Sequence, residues 1–408
     1  MDWYIPIAWT AIVSQLLFVI YVYRNYHYAL SKYQKHRNFT PDTTLIIPCK
    51  GIDSGFDENI CSFFLQDFDN YRLWFVVADK ADPAYERLQL LKQKFAQQSR
   101  AKQIQILVAG SGRSCSQKVH NLLYGYEKAP PQTTVLAFGD SDVCAPAHWL
   151  RHLVHPLHKQ KYGAASGYRW FVPPRNNLAS LAMSAINAKV AQLLGNSRFN
   201  QAWGGSMAIR KDIFEQAGLK QIWSKTLSDD LSLSLAVRKT KKIIAFVPAC
   251  LVASYHSTSW SELFEFGRRQ FLITRINAPA TWAFGLFSCL YSIAGLWAGL
   301  AAAIVASAGQ VSNPGLFAAV PIAFVAGPVT RAIMRQTMIR KILKKDIGKL
   351  FEAQLADILG FWFWDIVCLI IIIFSGFGRT IRWRGIRYRL QSPTDTRVVS
   401  ESKSAKNS

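Results

Sequence analysis

The chain has 408 residues, half of them hydrophobic, and Lys plus Arg outnumber Asp plus Glu by 48 to 25, for a net charge of +23. That length holds a catalytic domain of ordinary size and a further part. The seven cysteines are odd in number, scattered and without a C-x-x-C pair, which excludes a disulfide framework or a zinc site and suits reduced thiols.

The first apolar segment, Trp3 to Tyr23, carries no charge and is long enough for one membrane pass. It lacks the basic start and small-residue cleavage site of a signal peptide, so residues 1–23 read as an uncleaved anchor. Four short apolar runs follow: "TTLIIPCKG" (43–51), "LWFVVADKADP" (73–83), "IQILVAGSG" (104–112) and "TVLAFGDSD" (134–142). Helical patterns such as "AYERLQLLKQKFAQQ" and "SQKVHNLLYGYEKA" lie between them. This alternation predicts an α/β domain with a parallel sheet and helices on both faces, whose ligands bind outside the carboxyl ends of the strands.

"AGSGRSCSQK" lacks the phosphate-loop spacing and reads as a strand-end loop. The histidines of "HWLRHLVHPLH" are interrupted by Pro156 and read as surface or headgroup-facing residues rather than metal ligands. "NNLASLAMSAINAKVAQLLG" (176–195) reads either as a core helix or as an in-plane helix that admits a lipid hydroxyl.

Residues 276–330 form a run of 55 without Asp, Glu, Lys, Arg or His, enough for a helical hairpin turning at "GQVSNPG". Residues 358–378 are a third apolar block, broken only by Asp365. Basic clusters follow each segment: Arg24, Lys32, Lys35 and Arg37; Arg331, Arg335, Arg340, Lys341, Lys344, Lys345 and Lys349; and Arg379, Arg382, Arg384, Arg387 and Arg389. Charge placed beside apolar segments points to a membrane surface and against nucleic acid. By the positive-inside rule it puts residues 24–275 in the cytosol and 331–357 in a basic juxtamembrane segment. Asp365 and the arginine-rich stretch after it argue that 358–378 is re-entrant or partly buried rather than spanning. "IRWRGIRYRL", within the basic segment 379–392, reads as a returning strand or as a juxtamembrane anchor. Residues 393–408 are polar and expected to be disordered.

Asp79 ends one strand and Asp140 and Asp142 end another; Asp229 and Asp230 open a helix, and Arg268 and Arg269 precede the hairpin. Taken singly, these are turn or cap residues, answers to a helix dipole and an interface anchor. Taken together, they match the demands of sugar transfer from a nucleotide diphosphate. Carboxylates hold a hard cation against the leaving diphosphate, an arginine adds fixed charge, and a further acid accepts the proton of the attacking hydroxyl.

Most of the chain resembles the inverting GT-A glycosyltransferases of the ceramide glucosyltransferase type (families 2 and 21). The matching segments are "IPCKGIDSGFDENICSFFLQDFDNYRLWFVVADKADPAY", "SQKVHNLLYGYE", "GDSD", "WGGSMAIRKDIFEQAG", "LSDD", "RRQFLITRINAPATW" and "IRWRGIRYRL". The resemblance implies a cytosolic GT-A domain at 24–275 and assigns Lys50, Asp79, Lys118, Asp140 and Arg268 to the nucleotide sugar. It makes Asp140 and Asp142 the ligands of Mn²⁺ or Mg²⁺. Asp230 becomes the general base, with Asp229 a neighbour able to raise its pKa, and Arg269 faces the diphosphate. Gly204, Gly205 and Gln270 fall on the acceptor side.

The implied reaction moves one sugar, expected to be glucose, from a UDP-sugar to a lipid hydroxyl such as that of ceramide, in a bacterial inner membrane or a Golgi-type one. The alternatives are a processive polysaccharide synthase and a non-enzymatic membrane scaffold. The family's (Q/R)xxRW reads here as Phe266-Gly267-Arg268-Arg269-Gln270, without the first polar residue and the tryptophan, which speaks against a processive synthase. Some ceramide-type members also have only the first acid of "GDSD".

Overall fold

The computed structural model describes residues 4–35, 38–112, 114–309 and 313–401. Trp3, Arg37, residues 310–312 of the expected hairpin turn and residues 402–408 lie outside the described residues. The chain begins α1 (Tyr4–Lys32), β1 (Thr43–Pro48), α2 (Phe56–Phe64), β2 (Tyr71–Val77), α3 (Pro83–Phe95), β3 (Gln103–Val108), α4 (Gln117–Glu127) and β4 (Val135–Gly139). It continues α5 (Trp149–Val154), β5 (Tyr162–Phe171), α6 (Leu178–Ala191), β6 (Ser206–Arg210), α7 (Lys211–Gln216), α8 (Leu219–Trp223), α9 (Asp229–Lys239) and β7 (Ile243–Ser254). Then come α10 (Trp260–Asn277), α11 (Pro279–Ala308), α12 (Pro314–Ile342), α13 (Phe351–Leu359), α14 (Phe361–Ser375), β8 (Thr380–Trp383), β9 (Ile386–Ser392) and β10 (Asp395–Glu401).

Two compact units result. A sheet unit takes Ser31–Arg169, Asn196–Ser254 and Gly378–Ser408; a helical unit takes Met1–Leu30, Trp170–Gly195 and Tyr255–Phe377. The single 24–275 domain expected from sequence is therefore not one block. Its 170–195 and 255–275 portions belong with the apolar helices, and the C-terminal segment belongs with the sheet.

The sheet unit is built on seven strands in the order β3-β2-β1-β4-β6-β5-β7. β3, β2, β1 and β4 are parallel, as the alternating pattern predicts. β6 runs antiparallel to both β4 and β5, so the sheet is mixed. β1, β2 and β4 are buried along their whole length, which is why they read as continuous apolar runs rather than alternating ones. The period of two still sorts their side chains. Leu45, Ile47, Leu73, Phe75 and Ala137 face one layer, with Phe63, Phe64, Leu88 and Trp149 of the flanking helices. Ile46, Trp74, Val76, Leu136 and Phe138 face the other, with Val119, Leu122, Phe214 and Trp223. The strand order reverses at β1, which pairs with β2 on one side and β4 on the other, and this is where open α/β sheets leave a crevice.

β8, β9 and β10 form a separate antiparallel sheet. "IRWRGIRYRL" is thus the returning strand pair of its two readings. Disorder from residue 393 onward does not hold for 395–401: β10 pairs along β9, and the Thr396 amide donates to the Lys225 carbonyl at 2.9 Å. The inward alternation of Ile386, Tyr388 and Leu390 gives this polar stretch an apolar face to pair on.

In the helical unit α1, α11 and α12 are long and apolar enough to cross a membrane. α12 continues past Thr330, so Arg331 and Arg335 lie inside a helix and are buried. Arg335 makes a two-pronged ion pair with Asp357, Nε to Oδ2 at 2.7 Å and Nη2 to Oδ1 at 2.5 Å, and its Nη1 donates to Gln192 Oε1 at 2.8 Å. The Arg331 guanidinium donates to Gln15 Oε1 at 2.9 Å. The third apolar block is no straight span: α13 and α14 meet at 83°. Asp365, on α14, accepts from Lys189 at 2.5 Å and Ser292 at 2.7 Å. The 176–195 segment is helix α6, capped by Asn177 and packed in a shared core with Leu263 and Trp364.

Asp357 is fully buried, so removing its cation leaves an uncompensated charge, a loss typically of about 3–5 kcal/mol. Arg335→Met should lower the unfolding temperature of the detergent-solubilised protein sharply. The double variant Arg335→Met/Asp357→Leu should recover much of that loss, as thermal melts of the three proteins will show.

Candidate active site

The site is assembled at the carboxyl edge of the sheet, where β1 and β4 part. Asp140 follows β4 directly, and the next turn carries Asp142, which is exposed. Lys118 stands one residue into α4, whose start is fixed by Ser116: its hydroxyl accepts from the Val119 amide and donates to the Leu227 carbonyl at 2.9 Å. That second bond ties α4 to the loop that opens α9. Ser228 caps α9, and Asp229 and Asp230 are its first two residues. Two glycines, Gly204 and Gly205, lead into β6.

The centre of the site is an ammonium among carboxylates. Lys118 Nζ lies 2.7 Å from Asp140 Oδ1 and 3.0 Å from Asp229 Oδ2. Burial alone would lower the lysine's pKa; the charges of Asp140, Asp229 and Asp230 outweigh it and hold Lys118 above its ordinary value. Burial likewise opposes ionisation of Asp140, but Lys118, then Arg169 and Arg384, hold its carboxyl below the usual range. Asp229 is the most enclosed of the acids, 4 % exposed, and its Oδ2 receives no well-aligned hydrogen bond from the described residues. Burial first, then the Asp230 and Asp140 charges, push it up to about 6 against the pull of Lys118. The carboxyl raised in this way is Asp229.

Asp230 is half-buried and held on both oxygens. Oδ1 accepts from the Ser228 hydroxyl at 2.6 Å and the Leu231 amide at 2.7 Å; Oδ2 accepts from the Gly204 amide at 3.2 Å. Gly204 is required by space: a Cβ there would sit 2.4 Å from Asp229 Oδ2 and 2.6 Å from Lys118 Nζ. At Gly205 a Cβ would run into the Trp203 ring at 2.2 Å.

Three residues outside the predicted set join this group. Arg169, near the end of β5, lies 3.9 Å from Asp140 Oδ2 and stacks 4.8 Å over Trp203. Tyr168 meets the Trp203 ring edge-on at 6.0 Å, and burial pushes its hydroxyl up to about 12. "GYRWF" is a strand sequence whose register alone decides which residues reach the site, so only an adjacent acid or glycine motif could have marked it.

The remaining predicted residues have these surroundings. Lys50, just after β1, bonds through Nζ to the Arg384 carbonyl at 3.1 Å. Asp79, after β2, is exposed and accepts from the Ala81 amide at 3.0 Å in its own turn. Arg268, Arg269 and Gln270 belong to α10 in the helical unit, where Arg268 donates to the Phe377 carbonyl at 2.9 Å and Arg269 lies over the Phe266 ring.

Asp140 and Asp142 offer hard oxygen donors on one strand-end turn, and Asp140 keeps Oδ2 turned from Lys118. That donor set fits a hard divalent cation. No cluster of three or more His, Cys, Asp or Glu stands ready for a metal among the described residues. Two carboxylates are nevertheless what a cation shared with substrate phosphates needs.

A lysine held among buried and half-buried acids at a strand-order reversal stands where open α/β sheets bind their ligands. The chain is a glycosyltransferase: residues 7–396 match the model of glycosyl transferase family 21, and it belongs to that family. Among solved structures it is similar to the mannosyltransferase PcManGT from Pyrobaculum calidifontis in complex with GDP-Man and Mn²⁺. That match has 12% identity and a TM-score of 0.45 and covers 90% of this chain and 97% of that one. It is also similar to GalNAc-T7 with UDP, GalNAc and Mn²⁺, at 12% identity and a TM-score of 0.40 over 58% of this chain and 51% of that one.

Gly204→Ala should displace the Lys118–Asp229 contact by the ångström that costs about a hundredfold in turnover. Sugar-transfer rates should fall by that order, with a thermal melt close to wild type.

Proposed function

We propose that the protein transfers one sugar, with inversion, from a UDP-sugar to the hydroxyl of a membrane lipid such as ceramide, with glucose as the expected sugar. The observation that carries this reading is the convergence of Asp140, Lys118, Asp229 and Asp230 at the sheet edge. Asp140 and Asp142 would hold Mn²⁺ or Mg²⁺, which when bound neutralises the departing diphosphate.

The remaining work falls to the chain. Lys118 fixes Asp140 against the sheet and keeps Asp229 from repelling it. Asp230 is the acid both oriented and reachable: Ser228, Leu231 and Gly204 set its plane, and its partial exposure lets an acceptor hydroxyl approach. Its carboxylate takes the hydroxyl proton as the oxygen attacks the anomeric carbon. Trp203 and Tyr168 give the acceptor side an aromatic wall.

A lipid acceptor is supported by the apolar helices. We read α1, α11 and α12 as membrane passes and the bent pair α13–α14 as re-entrant. Residues 31–169 and 378–408 belong to one unit, which supports an even number of crossings between them. α11 and α12 supply two crossings, and a third would strand the C-terminal strands on the wrong side. The basic residues put the sheet unit in the cytosol.

Incubating membranes that carry the protein with labelled UDP-sugars and lipid extract should yield a singly glycosylated lipid. A long polymer, or no lipid product from any donor, sinks the reading. An α-linked donor should give a β-linked product by NMR. EDTA should abolish transfer, and Mn²⁺ or Mg²⁺ should restore it. Asp230→Asn should lower kcat by about 10²–10⁴ while UDP still raises the melting temperature.

A further inference from the structure

The small C-terminal sheet contributes no residue to the acid cluster, yet it touches two loops that build the site. Through Pro393 and Thr396 it reaches the loop that opens α9: Thr226 Oγ1 donates to the Pro393 carbonyl at 3.0 Å, and the Thr396 amide donates to the Lys225 carbonyl. Through Arg384 it reaches the loop after β1. The guanidinium donates to the Lys50 carbonyl at 2.6 Å and to Asp53 at 2.7 Å, and Lys50 Nζ returns a bond to the Arg384 carbonyl.

Arg384 is a poor choice for its position. Trp383 pairs with Ile386, so Arg384 and Gly385 form a two-residue hairpin turn, and both take left-handed backbone at φ +46° and +80°. Asn-Gly or Gly-Gly is the usual solution for such a turn, because a side chain with a Cβ is strained there. A strained residue at a loop tip beside a charged site points to a use for its side chain.

The use indicated is anion binding. Two of the guanidinium's five N–H groups go to Lys50 and Asp53, which leaves donors for a further acceptor. Its partner Asp53 is about half exposed, and an exposed ion pair of this kind is weak enough to yield to a more highly charged anion. Burial would lower the Arg384 pKa, but the charges of Asp53, then Asp142 and Asp140, raise it, so the guanidinium lies within electrostatic reach of the proposed metal ligands.

We propose that Arg384 binds the diphosphate of the donor nucleotide and that strands β8–β10 form the cover of the donor side of the site. The proposal rests on the glycosyltransferase reading with a nucleotide-sugar donor, and it makes the C-terminal segment part of the donor site.

The test uses the full-length protein in detergent with UDP-glucose as donor, and UDP with Mn²⁺ as the binding probe. Arg384→Gly suits the turn and removes the guanidinium together with its stem. Its melting temperature without ligand should equal or exceed wild type. Its donor KM should rise roughly tenfold or more, the scale of one lost charge-assisted hydrogen bond, and the stabilisation by UDP should shrink. Arg384→Lys should restore part of the KM. Asp53→Ala removes the ion pair of the clasp but keeps the guanidinium, so its KM should stay within about twofold of wild type. A wild-type KM and UDP response in Arg384→Gly would overturn the proposal. So would equal KM increases in Arg384→Gly and Asp53→Ala, which would make Arg384 a clasp alone. If the wild-type protein itself neither transfers sugar nor responds to UDP, the donor reading fails, and this inference fails with it.

Discussion

The site depends on one ammonium placed among acids that would otherwise repel. Asp140, Asp229 and Asp230 come from two separate stretches of the chain, and bringing three carboxylates together at a buried edge is unfavourable without a cation. Lys118 supplies it. The neighbouring sequence then follows as a set of geometric demands. Gly204 keeps the space for the Lys118–Asp229 contact, Ser116 anchors the lysine's helix to the α9 loop, and Ser228 holds that helix start. Lys118 balances one of the acids, and the excess negative charge at the strand end is what a divalent cation answers.

The helical unit applies the same rule away from water. Arg335 is matched to Asp357 and Lys189 to Asp365, each with amide or hydroxyl groups completing the shell. Charges kept at such positions fix register more than they add stability. Here they hold α13 and α14 in a bent arrangement that no apolar pattern could specify.

The core strands were legible because burial on both faces writes itself as an apolar run, and Asp140 and Asp229–Asp230 were legible because they end or begin such elements. The antiparallel β6 was not, since pairing direction leaves no mark on a five-residue strand. Arg169 and Tyr168 were hidden for a similar reason: a strand end is defined by its partners, and "GYRWF" has no acid to mark it as a site. Arg331 and Arg335 read as surface charge because sequence shows the cations and not Gln15, Gln192 and Asp357, which come from distant segments to meet them. The order of 395–401 was missed because the stabilising contacts, with Lys225 and with β9, lie outside the segment itself.

The adjacent acids Asp229 and Asp230 show how one residue of offset divides labour at a helix start. Successive side chains there diverge by about 100°, the angle set by 3.6 residues per turn. Asp229 turns inward to Lys118, loses its water and is pushed up to about 6. Asp230 turns toward Gly204 and Ser228 and keeps part of its surface. On the proposed reading, the acceptor hydroxyl approaches from outside, and exposure selects Asp230 over Asp229 as its proton acceptor. Asp229, enclosed and paired, instead helps keep Lys118 charged.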